Sequence, residues 1–106
     1  MKRNLAAKKY KLKYRLEIYS RASLNVFSYQ LEEAFKYVAE NSHIILYRLD
    51  IEDHRVILEL SFPPCYSIDQ TVYRLKEATK NYLYKNNVIS KRIWSSGYFC
   101  KTVDFV

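Results

Sequence analysis

The chain has one glycine and two prolines in 106 residues. That excludes collagen-like, linker-like and low-complexity architectures, and it leaves no glycine-rich loop to cradle a phosphate. Two cysteines, Cys65 and Cys100, are too few and too far apart for a disulfide framework or a cysteine-based zinc site. No apolar run approaches the ~18 residues that a membrane span needs. The opening residues, 1–13, are basic and lack the apolar core of a secretory signal. These absences set the expectation of a protein in the reducing cytoplasm with no membrane partner.

What is present is one domain's worth of chain. Hydrophobic residues make up 49% and charged residues 27%, both near globular averages, which argues against general disorder. The formal net charge is +7, and eleven tyrosines help bring the aromatic share to 16%. The charge is unevenly placed. Residues 1–21 hold eight basic side chains, Lys2, Arg3, Lys8, Lys9, Lys11, Lys13, Arg15 and Arg21, against the single acid Glu17. The remaining 85 residues carry ten basic and ten acidic groups, so the whole excess lies in the N-terminal fifth. A concentrated basic surface attracts polyanions, of which nucleic acid is the commonest. The plain alternative is a basic leader that only aids solubility.

The basic segment is patterned. From residue 9 to residue 18 the sequence alternates, with Tyr10, Leu12, Tyr14, Leu16 and Ile18 on one parity. Lys9, Lys11, Lys13, Arg15 and Glu17 take the other. Period 2 predicts a strand with one face in the core and a row of cations on the other, ~6.6–7 Å apart. Residues 19–27 read as a loop and Ser28 as an N-cap. Leu31, Ala34, Phe35 and Val38 then form one apolar helix stripe, ended at Asn41–Ser42. Residues 43–51 predict a strand with Ile45, Tyr47, Leu49 and Ile51 inward. A turn at Glu52, Asp53 and His54 joins it to residues 55–62, where Val56, Leu58, Leu60 and Phe62 point inward. Arg55, Ile57, Glu59 and Ser61 then point outward. Pro63 and Pro64 end that strand. Ser67 with Gln70 makes a capping box for a helix over 68–84, lined by Ile68, Val72, Leu75, Tyr82 and Leu83. Residues 94–105 read as a last strand. The order β-α-β-β-α-β predicts an α+β, ferredoxin-like fold: one antiparallel sheet with two helices on one face. No repeat or linker divides it, so 1–106 reads as a single domain.

Four local motifs carry a resemblance. The hairpin Leu49-Asp50-Ile51-Glu52-Asp53-His54-Arg55-Val56-Ile57-Leu58-Glu59-Leu60-Ser61-Phe62-Pro63-Pro64 resembles the central hairpin of the small single-tyrosine HUH transposases of the insertion-sequence-200 type. There the strand reads Asp-His-hydrophobic-His, then an apolar run and Pro-Pro. Ser67, Val72, Leu75-Lys76 and Thr79 are similar to the helix that follows. Trp94-Ser95-Ser96-Gly97-Tyr98-Phe99 with Thr102-Val103 is similar to the family's Trp-x-x-Gly-Tyr-[Phe/Tyr]-x-x-[Thr/Ser]-Val. Lys13-Tyr14 fits its opening Lys-Tyr-His, with Arg15 for His. The resemblance covers residues 9 to 103, and extends to the related REP-associated tyrosine transposases. It implies a dimer that nicks and rejoins single-stranded DNA with hairpins bound. It also implies a divalent metal on two His and a polar helix residue, and a Tyr on that helix that attacks a phosphate.

The chain departs from that pattern where the chemistry sits. Two registers fit the HUH strand. One sets His54 on the first histidine and Val56 on the second, with a one-residue gap. The ungapped register puts Arg55 and Ile57 at the ligand positions and His54 at the preceding Asp. Val56 shares the apolar parity of Leu58 and Leu60, which supports the second. Arg stays protonated, and Ile and Val have no donor atom, so at least one ligand is lost in either register, and His54, Arg55 and Ile57 read as the degenerate HUH positions. The sequence reads to Val106 without the tyrosine helix, so the expectation is a domain with neither nucleophile nor third ligand, and no cofactor.

The other chemistry-bearing residues read blandly. His43 and His54 lie at opposite ends of one predicted strand, ~35 Å apart, too far to share a metal. Glu52 and Asp53 read as a solvated turn, Cys65 and Cys100 as buried or half-buried structural thiols. Tyr10, Tyr14, Tyr47 and Tyr82 read as core aromatics. Arg55 puts a fixed cation where the family holds a metal; the plain alternative is a strand arginine paired with Glu59. The leading expectation is an inactive derivative that binds hairpin or single-stranded DNA through Lys9, Lys11, Lys13 and Arg15, helped by Arg55 and Lys76. The alternative is a protein-interaction module, a homodimer or a dead partner for a full-length transposase. RNA binding needs aromatics on the open sheet face, where the parities place few.

Overall fold

A computed structural model describes residues 12–103. Strand β1 runs Lys13–Ser20, with Leu16 and Ile18 buried and Lys13, Arg15 and Glu17 on the alternate parity. The strand starts and ends later than its alternation predicts. Lys9, Tyr10 and Lys11 lie outside the described residues. Leu12 is 55% exposed rather than inward, because it precedes the first ladder pair, Lys13 with Val103.

A 3₁₀ turn, Asn25–Phe27, feeds helix α1, Ser28–Asn41. Ser28 is not the N-cap. Phe27 takes that position without a side-chain cap bond. The entry is set by apolar anchoring instead, with Leu24 fully buried and Phe27 packed on the core. The predicted stripe of Leu31, Ala34, Phe35 and Val38 is buried.

Strands β2, Ile45–Ile51, and β3, Arg55–Ser61, form the hairpin. A register shift between Leu46 and Arg48 corrects the predicted parity of β2. The bulge at Tyr47 turns Leu46, Leu49 and Ile51 to the core and leaves Tyr47 40% exposed. Val56, Leu58 and Leu60 are buried in β3 as predicted. Ile57 and Ser61 are buried too, although their parity faces the other way. β3 has a neighbour on each side, and the Ser61 hydroxyl donates to the Leu12 carbonyl at 2.7 Å.

Helix α2, Ile68–Lys85, begins at the predicted capping box of Ser67 and Gln70. Val72, Leu75 and Leu83 are buried, and so are Thr71 and Thr79. The two threonine hydroxyls donate back to the Ser67 and Leu75 carbonyls at 2.9 and 2.6 Å, which satisfies them inside the helix. Strand β4, Trp94–Val103, completes a four-stranded sheet ordered β2-β3-β1-β4 with antiparallel neighbours. The buried residues of both helices join Leu16, Ile18, Val56, Leu58 and Leu60 in one core. These strand residues share one face, so both helices cover that face and leave the other open.

Candidate nucleic-acid interface

The open face carries β1's Lys13, Arg15, Glu17 and Tyr19, β3's Arg55, Ile57 and Glu59, and β4's Phe99 and Lys101, set side by side by the ladder. It is not a bare row of cations. Lys13 Nζ is 3.4 Å from Glu59 and sits over the Tyr47 ring, 5.2 Å from its centroid. Arg15 Nη2 is 3.1 Å from Glu17. Arg55 pairs with Glu17 at 3.2 Å and with Glu52 at 2.6 Å. Arg48 pairs with Asp50 and Glu59. The Tyr19 hydroxyl donates to Glu17 at 3.1 Å. Burial alone would push the Glu17 carboxyl up. Hydrogen bonds from Arg15 and Tyr19, with the charges of Arg55 and Arg15, outweigh it and hold Glu17 below its ordinary value. Lys101, which alternation did not single out, stands exposed beside Arg15 across the β1–β4 ladder.

Lys13, Arg15 and Arg55 thus share one face, with Lys13 at the start of β1 and Arg55 beside Tyr19 near its end, and Lys76 is not with them. Its ammonium donates 2.9 Å bonds to the Ser95 and Gly97 carbonyls at the start of β4. Burial pushes its pKa down. Lys9 and Lys11 lie outside the described residues.

The HUH positions have a defined geometry. His54 lies in the β2–β3 turn, exposed, with Nδ1 3.3 Å from the Ser20 carbonyl oxygen and Nε2 3.4 Å from Asp53. Val56 is fully buried on the helix side. Arg55 and Ile57 take the opposite parity and belong to the open face. A guanidinium held by two glutamates beside a hydrocarbon side chain does not fit a divalent metal. Among the described residues no three His, Cys, Asp or Glu side chains are placed to hold one.

Glu52 and Asp53 diverge: Glu52 turns to Arg55, while Asp53 accepts from the Ser23 hydroxyl. Arg55 pairs with Glu17 and Glu52 rather than with Glu59, which pairs with Lys13 and Arg48. His43 is exposed at φ 60°, between α1 and β2. Cys65 is exposed rather than a buried thiol, since it follows Pro63-Pro64 in the loop ahead of α2. Cys100 is half-buried, and burial pushes its thiol up. Tyr14 stacks on Phe62, and Tyr82 meets Tyr37 with the rings tilted by 41°, in or beside the core. Tyr10 lies outside the described residues, and Tyr47 is turned out by its bulge.

A four-stranded ferredoxin-like sheet with two helices on one face and a charged open face defines the class. The sequence profile of the family described as "Transposase IS200 like" matches residues 8–106. The chain belongs to that family. Its fold is similar to that of a protein from Deinococcus radiodurans R1 described as a candidate transposase. The TM-score is 0.78 at 22% identity, over 90% of this chain and 81% of that one. It is also similar to a REP-associated tyrosine transposase bound to a REP hairpin. There the TM-score is 0.66 at 14% identity, over 92% of this chain and 59% of that one. At these identities the likeness is one of fold. No curated protein matches the chain in sequence. Among the described residues no helix is long and apolar enough to cross a membrane.

Proposed function

We propose that this family member, residues 1–106 acting as one unit, binds hairpin or single-stranded DNA in the cytoplasm without cleaving it. The family and the hairpin-bound fold neighbour support DNA as the partner. So does the net +7, all of it within residues 1–21. Lys9, Lys11, Lys13 and Arg15 supply the first contacts. In the Glu17 pairs of the open face the arginines are the more exposed partners, free to turn from a carboxylate to a phosphate. The observation that carries the loss of cleavage is Arg55 beside Ile57, tied to Glu17 and Glu52. A fixed cation holds a phosphate but neither generates nor replaces a nucleophile.

A paired assay tests this on one labelled hairpin, with anisotropy for binding and a denaturing gel with Mg²⁺ or Mn²⁺ for cleavage. Binding should weaken with salt at about −0.7 per phosphate contact on single strands. Lys11→Glu with Lys13→Glu should abolish it. A covalent protein–DNA adduct, or a flat salt response, would overturn the reading.

A second reading rests on β4. Among the described residues it pairs only with β1, and its other edge, ten residues long, has no strand beside it, a template for another chain. It favours a homodimer, or a mixed dimer with a full-length transposase. Co-expression with an active relative decides it, with mixed dimers for and separate homodimers against.

A further inference from the structure

The structure separates paired cations from unpaired ones. Lys13, Arg15, Arg48 and Arg55 each lie within 4 Å of a carboxylate. Among the described residues, Arg21, Arg74, Lys85, Lys91, Arg92 and Lys101 are exposed and have no carboxylate within that distance, and three of these, Arg21, Lys91 and Arg92, leave one corner of the sheet. The fold brings these three to one place. The Arg21 backbone N–H donates to the Ile93 carbonyl at 2.8 Å, which sets Arg21 beside the residue that follows Arg92. Ser20 ties the same corner together. Its hydroxyl donates to the Ile93 and Ala22 carbonyls, and its N–H donates to the His54 carbonyl at 2.8 Å. Ile93 and Trp94 are 2% and 5% exposed, so Lys91 and Arg92 leave the core from a fixed point.

We infer that Arg21, Lys91 and Arg92 form a second phosphate-contact surface, which grips the backbone of the same DNA that the basic N-terminal segment engages. The inference rests on the DNA-binding reading above. Unpaired exposed cations release counterions when they meet phosphates and give up no existing ion pair to do so. Cations already held by glutamates must exchange partners first. Lys13 and Arg21 stand at opposite ends of β1, about 26 Å apart at ~3.3 Å per residue. That span is about eight base-pair steps of duplex, at ~3.4 Å each. A hairpin stem of that length touches both ends, and a much shorter stem touches one.

Anisotropy on hairpins with stems of about twelve and about five base pairs tests this. It compares the full chain with a triple variant, Arg21→Ser, Lys91→Ser and Arg92→Ser. All three positions are exposed, and a thermal melt checks that the variant folds. On the long stem the triple variant should bind at least about tenfold more weakly at low salt. Its salt slope should be shallower by about two to three units, since each duplex phosphate contact contributes ~0.9. On the short stem the two proteins should differ less. Arg92→Lys should keep most of the affinity. If the unaltered chain binds and the triple variant follows it within about twofold on the long stem, the second surface is wrong while the DNA-binding reading stands. If the unaltered chain binds neither hairpin, both fail.

Discussion

Arg55 Nη1 lies 3.2 Å from Glu17 Oε1, so an arginine of β3 and a glutamate of β1 close an ion pair across the open face of the sheet. The two partners are not equivalent. The Glu17 side chain is 12% exposed and that of Arg55 41%. Glu17 also holds Arg15 and accepts from Tyr19. The glutamate is therefore the fixed hub of this face, and the arginines are the groups free to turn toward a ligand. In a protein that binds phosphates, such a hub keeps the cations in register until an anion arrives.

The hub gives a pH dependence with a definite sign. Glu17 titrates below its ordinary value in the folded protein because its cationic partners outweigh its burial. The unfolded chain then binds the proton at a higher pH than the folded one. The stability Glu17 contributes is complete above the ordinary carboxylate range of ~4.3, and is lost as pH falls through the lowered folded value. Thermal melts across pH 3 to 7 should show that loss below about pH 4.5. In Glu17→Gln the loss should be smaller. Equal acid sensitivity in the two proteins would show that Glu17 is not the hub.

The core prediction is larger. Phe35 is fully buried and meets Trp94 edge-on, with ring centroids 6.0 Å apart. Phe35→Ala removes the ring and leaves a cavity between α1 and the start of β4. The expected cost is about 3–5 kcal/mol. Urea unfolding should show a lower midpoint with an unchanged slope. A cost below about 1 kcal/mol would mean the ring is not packed as described.

Most of the fold was legible because strand and helix periods differ. Leu16, Ile18, Val56, Leu58 and Leu60 share one strand parity, and Leu31, Ala34, Phe35 and Val38 share one helical stripe. Each pattern reports a buried face directly. Tyr47 was misplaced because a bulge adds one residue to the count, and no local residue marks it as Gly or Pro would. Ser28 was misread as a cap because the hydrophobic anchoring of Leu24 and Phe27 competes with capping and has no local signature. At the site, the odd parity of Lys13, Arg15 and Arg55 was legible. Their glutamate partners were not, since Glu52 and Glu17 reach Arg55 from a turn and a neighbouring strand. Arg21 and Arg92 lie far apart in sequence, and only the ladder between β1 and β4 brings them together.

The capping box can be weighed alone. The Ser67 hydroxyl accepts from the Gln70 N–H at 3.0 Å, and the Gln70 side chain accepts from the Ser67 N–H at 3.0 Å. Both bonds are exposed, so water replaces part of what is lost. Ser67→Ala should cost about 1 kcal/mol in urea unfolding. DNA affinity should stay within about twofold, because α2 enters at the same place. A wild-type midpoint would show that the box contributes nothing.

The clamp on β4 makes the sharpest prediction. Gly97 has φ +82°, a conformation that L side chains rarely adopt. A Cβ there would meet nothing within 4 Å, so any cost of Gly97→Ala is conformational, not steric. That cost is about 1–2 kcal/mol. Lys76 holds the Gly97 and Ser95 carbonyls, each at 2.9 Å. Lys76→Met strips the donor from both, and the loss of charged hydrogen bonds costs about 1.5–3 kcal/mol. If the ammonium fixes the left-handed residue, the two changes are coupled, because a backbone that has left φ +82° no longer presents its carbonyl to Lys76. The double variant should then be less destabilised than the two single variants together predict, by about 0.5 kcal/mol or more. Strict additivity in urea unfolding would separate the glycine's conformation from the lysine's grip. Lys76 would then be left to act on β4 through Ser95 alone.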